Sequence, residues 1–433
     1  MIKHRSFIDK TTELLNTYHG AGSIYLFFAD FADFKLVNYY YGMEKGNELL
    51  NAVVKFVRNI PEVAYCERVF SDQFLFIVLA KAQRSDEEII ASYNHFAEAF
   101  LSAQRPKYPA CNLRFHCGIF PMKDRNVLEA IDNANMARLD AKRTGAPTAV
   151  LFTQSKLSEL AARKEKEREI TLALHENRFA FYLQPKVDLL TGQIIGAEAL
   201  ARRFTPEGAL IYPDNFIPIM EQNGSIVDLD FSILEQVCHH IADRLRKGFP
   251  VVRTSVNLSR AHILNCEDLD KIHAVVEKYG IPPDLMEFEL TENILLDDFE
   301  KARSFGDRLR AFGYKTSVDD FGSGYSGINI WQELSFDVLK LDRKFLSDDP
   351  ILHSRNAAII PSIIDIAQRL NIDVICEGVE RADQCRCLLE LGCRYAQGFY
   401  FSKAVPPDTF YQIYHDQHGH YPLSFHVQVE EVR

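Results

Sequence analysis

From Phe179 onward short apolar runs alternate with helix-length gaps, and this rhythm constrains the fold more than any other feature of the chain. The runs are 179–186, 194–204, 251–257, 285–291, 315–319, 337–342, 372–376 and 395–401. Strands alternating with helices in this number predict an α/β barrel of the (β/α)8 type. One gap departs from the pattern. Only Asp188 to Gln193, with the turn pair Thr191-Gly192, separates the first two runs. A parallel crossover needs about a dozen residues or more, so the first strand is expected to run antiparallel to the second.

Polar groups cluster at the ends of these runs. Glu198, Asn257, Glu289, the pair Asp319-Asp320 and Glu377 each stand at or next to one. Barrels of this kind collect their chemistry on the rim formed by the C-terminal strand ends. Any one of these acids alone reads as a solvated strand end. Together with Lys340 they read as a site. Carboxylates gathered at one mouth repel and raise one another's pKa unless cations neutralise them, which calls for divalent metal, two ions in all. Oxygen ligands without His or Cys favour Mg2+ or Mn2+ over Zn2+.

Residues two apart on a strand share a face, which pairs Glu198 with Arg202, Ser255 with Asn257, Glu287 with Glu289, and Lys340 with Asp342. A lysine inside a barrel is costly unless carboxylates surround it, and here they do. The set suits two-metal phosphodiester hydrolysis, with Asp319 bridging the ions and Lys340 holding a water or a developing charge. Arg202 can clamp a phosphate through its planar fork. Gly322 and Gly324 give a mobile loop beside the metals.

At 433 residues the chain is long for one domain. Residues 1–153 mix helical and strand patterns, with strands at Ile24 to Phe28 and Phe74 to Val78 and helices at Asn47 to Val57 and Ile131 to Lys142. Residues 154–176 are strongly charged, with Leu157, Leu160, Ala161, Ile170 and Leu174 spaced for one helical face. A solvated spacer and a signal-relaying helix both fit that linker. The barrel takes residues 177–425. A net charge of −11 argues against binding a nucleic-acid polymer or an anionic membrane surface. Nine cysteines, with no CxxC pair, read as reduced and mostly buried thiols. Met1 to Arg5 carries no apolar core for a signal peptide, and no run approaches the roughly 18 apolar residues of a membrane span. A cytoplasmic, soluble protein is expected. His415, His418 and His420 read as an exposed polar tail, and Asp297-Asp298 and Asp348-Asp349 as solvated loop acids.

Ordered motifs now carry a resemblance. They are Gln184-Pro185, Glu198-Ala199-Leu200-Ala201-Arg202, Asn257-Leu258-Ser259, Glu289-Leu290-Thr291-Glu292, Asp319-Asp320-Phe321-Gly322, Lys340-Leu341-Asp342, Glu377-Gly378-Val379-Glu380 and Gln397-Gly398-Phe399. From about 170 to 410 the chain resembles an EAL domain, the cyclic di-GMP phosphodiesterase of bacteria. The resemblance implies that Glu198, Asn257, Glu289 and Asp319 bind one metal, and Asp319 and Asp320 the second. It implies that Lys340 and Glu377 position or activate water, with Gln397 and Glu380 in support. Gln184, Arg202 and Asp342 fall on the substrate side, and the product is linear pGpG. A homodimer is likewise an expectation of the family. Ala201, Arg203, Phe204 and Gly327 depart from its usual residues without removing a ligand.

The first unit resembles a GGDEF diguanylate cyclase, a nucleotidyl-cyclase-like α/β sandwich. Phe28 to Lys35, followed by Asn38 and Gly42, matches its metal and base-binding stretch. Its signature turn falls at Phe70-Ser71-Asp72-Gln73-Phe74, after Arg68. Phe70 stands where glycine lets the backbone approach a nucleotide, and Gln73 replaces the metal-binding Glu. Asn47 replaces an Asp, Ala146 an Arg after the matching Lys142, and Pro61 to Ala64 occupies the place of the inhibitory RxxD sequence. A catalytically inactive regulatory module is expected, with GTP binding through Lys142 and Asn38 left open. The alternative for the whole chain is a non-catalytic receptor for cyclic di-GMP or GTP that controls a partner protein. Such receptors usually lack several metal ligands, and this chain lacks none.

Overall fold

The structure is a computed structural model that describes residues 4–20, 22–82, 84–145, 149–265, 267–292, 299–322, 331, 334–346, 351 and 354–423. Ala146, Cys266, Asp297-Asp298, Ser323 to Gly327 and Asp348-Asp349 lie outside the described residues. The chain divides into two compact units, Met1–Lys164 and Glu165–Arg433, and the division falls inside the helix Gln154–His175.

In the first unit β1 (Ile24–Phe31), β2 (Val63–Phe70), β3 (Gln73–Leu79), β4 (Phe115–Met122) and β5 (Val150–Leu151) form one sheet in the order β2-β3-β1-β4-β5. β1 is apolar on both faces because both are covered. Tyr25, Phe27, Ala29 and Phe31 pack with Leu49, Val53, Ile89 and Phe100 of the helices Phe34–Arg58 and Asp86–Gln104. Leu26 and Phe28 pack with Phe7, Leu15, Val127 and Ile131 of the helices Arg5–Thr17 and Val127–Thr144. The sequence pattern missed β2, an edge strand whose half-buried Glu67 and Arg68 dilute its apolar signal. Gly42 interrupts the helix Phe34–Arg58 at φ 82°, a conformation only glycine adopts cheaply.

The second unit is the barrel. β6 (Phe179–Asp188), β7 (Ile194–Phe204), β9 (Arg253–Asn257), β10 (Met286–Thr291), β11 (Lys315–Phe321), β12 (Val338–Leu341), β13 (Asp373–Cys376) and β14 (Tyr395–Gln397) follow one another around it. The β6–β7 pairing closes the ring, and the two-residue β8 (Leu210–Ile211) extends it beside β7. β6 is antiparallel to both β7 and β14, as the short turn after it requires, and the remaining barrel pairs are parallel.

Two expectations need correction. The strand expected over 395–401 ends at Gln397, because Gly398 lies against Val379, where any Cβ would come within 2.1 Å of the Val379 carbonyl oxygen. The apolar face expected along the linker helix is realised only near its end: Ile170 and Ala173 are buried, Leu157 is half-buried and Ala161 is exposed. His415, His418 and His420 are exposed, as expected, and the segment that holds the last two is anchored to the barrel. Tyr421 N donates to Gly192 O and Ile194 N to Gly419 O, tying it to the β6–β7 turn.

Candidate active site

The parallel register lines the acids up. Glu289 on β10 sits beside Asn257 on β9 and Ser317 on β11, Glu198 sits beside Ser255, and Thr291 beside Asp319. Side chains at these positions point inward and meet at the C-terminal end of the barrel. Lys340 is fully buried there, its Nζ 3.3 Å from Glu198, 2.5 Å from Glu289, 3.1 Å from Asp319 and 2.7 Å from Glu377. Asn257 Nδ2 donates to Glu198 Oε1 at 2.9 Å. Gln397 Nε2 donates to Glu198 Oε2 at 2.6 Å and to Gln184 Oε1 at 3.1 Å. Each amide therefore orients a carboxylate or another amide.

A second buried lysine went unnoticed in the sequence. Lys186 Nζ lies 2.8 Å from Glu287 Oε1 and 2.9 Å from Glu289 Oε1. Its spacing of two from Gln184 on β6 was the available signal. Five carboxylates (Glu198, Glu287, Glu289, Asp319, Glu377) thus face two ammonium groups. The imbalance registers as pKa shifts. Burial disfavours the Lys340 ammonium, yet Asp319, Glu198, Glu289 and Glu377 together push its value well above the ordinary one. Burial also raises Glu289, but Lys186 and Lys340 overcome it and bring the carboxyl down to about 2. Glu377 is pushed up to about 7 by burial, which Lys340 only partly offsets and Glu198 and Glu289 reinforce. Asp319 is raised well above the carboxylate range, by burial first and then by Glu377, Glu289 and Glu198 against Lys340.

Ligand oxygens of Glu198, Glu289 and Asp319 lie within 4.8 Å of one another, and so do those of Asp319, Asp320 and Glu377. Asp319 belongs to both sets. An all-oxygen donor group, sharing one carboxylate and short of positive charge, fits two hard dications. Asp320 adopts φ 56° and its N donates to Asp319 Oδ1 at 2.8 Å, and burial followed by the neighbouring Asp342 raises its pKa. Glu292, fully buried, accepts from Gly322 N at 2.8 Å and anchors the chain leaving β11.

Above the acids opens a cavity of about 510 Å3, the size of a small-molecule site. Gln184, Glu198, Asp319, Asp320, Asp342, Glu377, Glu380 and Gln397 line it, joined by Asp214, Arg343 and Phe399. Asp214 and Arg343 carry no local signal and reach the cavity only through the fold. Glu380 sits exposed at the edge, away from the Lys340 cluster. Asn257, Glu289 and Arg202 are not among the residues that line it. The Arg202 guanidinium stands 5.5 Å from the Tyr182 ring and 5.3 Å from the Tyr212 ring, its Nε buried without a partner among the described residues.

The first unit carries its own acidic point. Asp30, near the end of β1, registers with Gln73 on β3 and His116 on β4. Arg138 Nη1 makes a short ion pair with Asp30 Oδ2, and His116 Nδ1 lies 3.3 Å from Oδ1. Arg138 is 5% exposed, and Asn135 Oδ1 accepts from its Nε and Nη2. Burial raises the Asp30 pKa, against Arg138 and His116. These residues do not fit a divalent cation, because a guanidinium already takes the one buried carboxylate and Gln73 brings no charge. Phe70 is exposed at the two-residue turn, and Asn47 Oδ1 accepts from Arg68 Nη1 at 3.2 Å.

An eight-stranded α/β barrel with paired acidic donor sets at its mouth, preceded by an α/β sandwich, defines the class. Residues 167–404 match the family described as the EAL domain, and residues 2–148 match the diguanylate cyclase, GGDEF domain. The chain belongs to the EAL-domain family and carries a GGDEF domain ahead of it. It is similar to signaling protein YkoW of Bacillus subtilis, 28% identical over 95% of this chain and 52% of that protein. It is similar to cyclic di-GMP phosphodiesterase NbdA of Pseudomonas aeruginosa, 29% identical over 88% of this chain and 48% of that protein. The chain spans about half the length of these curated relatives. The solved PaMucR phosphodiesterase in complex with c-di-GMP aligns with a TM-score of 0.53 and 30% identity, over 57% of this chain and 99% of that one. Among the described residues no helix is long and apolar enough to cross a membrane.

Proposed function

We propose that the chain is a cyclic di-GMP phosphodiesterase that opens its substrate to linear pGpG with two Mg2+ or Mn2+ ions, governed by a catalytically inactive GGDEF domain. The observation that carries this reading is the complete pair of acidic donor sets sharing Asp319. The phosphodiesterase relative and the cyclic dinucleotide held by a structural neighbour support the substrate class. Glu198, Asn257, Glu289 and Asp319 would hold one ion, and Asp319 and Asp320 the other. When bound, the ions supply charge neutralisation and an acidified water.

The chain's own residues supply the rest. Glu377, with its carboxyl near neutrality, can take the water's proton, and the Lys340 ammonium steadies charge on the phosphoryl oxygens. The water oxygen bonds to phosphorus, the P–O3′ bond breaks, and the departing O3′ takes a proton. Arg202, held between Tyr182 and Tyr212, offers its fork to a phosphate, while Gln184, Asp342, Glu380 and Gln397 face the bound nucleotide. In the first unit the Asp30–Arg138 pair supports the inactive reading.

Incubating the purified chain with Mg2+ and cyclic di-GMP, followed by ion-pair chromatography, tests the proposal. Release of pGpG that stops with chelator supports it, and tight binding without product supports the receptor instead. GTP alone is expected to yield no cyclic di-GMP, and titration with GTP reports any binding through Lys142 and Asn38. Sedimentation tests the expected homodimer.

A further inference from the structure

Lys186 is a buried cation to which the mechanism above gives no part. It is 3% exposed on β6 and registers with Gly196 on β7. A Cβ built at Gly196 would sit 3.0 Å from the Arg253 carbonyl oxygen and in ordinary contact, 3.8 Å, with Lys186 Cδ, so the lysine stem runs closely over this backbone. Burying an ammonium requires one close carboxylate, and Glu287 at 2.8 Å meets that need. The second contact, 2.9 Å to Glu289 Oε1, goes beyond it. Lys340 meets the other oxygen, Oε2. The two lysines differ in what they share. Lys340 touches Glu198, Glu289 and Asp319 together, the three residues of one acidic donor set. Among the described residues Lys186 makes ion pairs only with Glu287 and Glu289, both on β10.

We infer that Lys186 is a positioning residue for the hydrolysis: by pinning Oε1 of Glu289 it turns Oε2 toward the mouth as a metal ligand. The inference rests on the phosphodiesterase reading. Outer groups that orient a ligand are worth about 10–100-fold in metal affinity.

The test uses the full chain with Lys186→Met combined with Glu287→Gln, so that no carboxylate loses its only partner at Glu287, and with Glu287→Gln alone. Mn2+ binding is measured by calorimetry, folding by thermal melting, and kcat and KM with cyclic di-GMP. The double variant is expected to melt cooperatively and to bind its tightest Mn2+ about 10–100-fold more weakly. Its kcat should fall while KM for cyclic di-GMP stays within about threefold, an effect loss of packing alone does not give. Glu287→Gln alone should bind Mn2+ as the parent does. Parental Mn2+ affinity in the double variant overturns the inference, as does an equal loss in Glu287→Gln alone. If the double variant does not fold, Lys186→Arg decides: its longer, branched group displaces the contact to Oε1, and unchanged Mn2+ affinity overturns the idea. A parent that binds Mn2+ without hydrolysing cyclic di-GMP refutes the phosphodiesterase reading yet leaves the Mn2+ comparison valid. A parent that binds no Mn2+ refutes both.

Discussion

Both units bury acid near the end of an inner strand, but they balance it differently. Asp30 in the first unit meets a guanidinium and an imidazole of the same unit, and its charge is answered locally. In the barrel, Glu198, Glu287, Glu289, Asp319 and Glu377 share Lys186 and Lys340, and a deficit of positive charge remains. The contrast teaches that buried carboxylates alone do not mark a metal centre. What sets the barrel apart is the count of charges, five carboxylates facing two ammonium groups where Asp30 alone faces a guanidinium and an imidazole.

Breaking the comparison at its strongest point means Glu198→Ala. Hydrolysis of cyclic di-GMP should fall by more than about 100-fold, since loss of a ligand exceeds the loss of its outer partners. Circular dichroism and melting should stay near parental, and unchanged turnover would refute the ligand assignment. On the other side, Arg138→Met strands Asp30 without its guanidinium and should cost the first unit about 3–5 kcal/mol. The double variant Asp30→Asn/Arg138→Met should recover most of that in a denaturant titration. If Arg138→Met melts like the parent, the internal balance there is not structural. A smaller effect is expected of Gln397→Leu, which removes the donor to Glu198 Oε2 and should weaken Mn2+ binding about 10–100-fold, read by calorimetry.

The smallest effect is in pH. In chelator the folded Glu377 carboxyl, pushed up to about 7, keeps a proton that the unfolded chain releases near an ordinary carboxylate value. Stability from that proton is complete below the unfolded value and disappears as pH rises through 7. The melting temperature in EDTA should therefore drop by a few degrees between pH 5 and 8, at about 2–4 °C per kcal/mol. Added Mg2+ should raise it more at pH 8 than at pH 5. An equal Mg2+ increment at both pH values would remove the charge-deficit argument.

Much of the barrel was legible because its strands are short apolar runs with acids at fixed places, a pattern local enough to read directly. The reversed first strand followed from the length of one turn, Asp188 to Gln193. What the sequence hid depends on contacts between distant segments. Lys186 reads as an ordinary lysine after a proline until β10 is folded across from it. Arg138 reads as a surface residue of a charged helix until Gly118 of β4 lets that helix approach β1. A Cβ at Gly118 would lie 1.9 Å from the Ala134 carbonyl oxygen. The rim residues Asp214 and Arg343 were hidden for the same reason, whereas the edge strand β2 was hidden by its own polar residues.

The direction of β6 has one more effect. In an all-parallel barrel the polypeptide enters on the side away from the chemistry, but here Phe179, the first residue of β6, pairs with Arg203 near the outer end of β7. The threshold of the barrel is therefore its reactive end. Glu169, on the incoming helix, lies 3.8 Å from Arg203, and the strand bearing Arg203 carries Glu198 a few residues inward. The helix that leads into the barrel and the acid Glu198 thus meet on one strand, at the same end of the barrel.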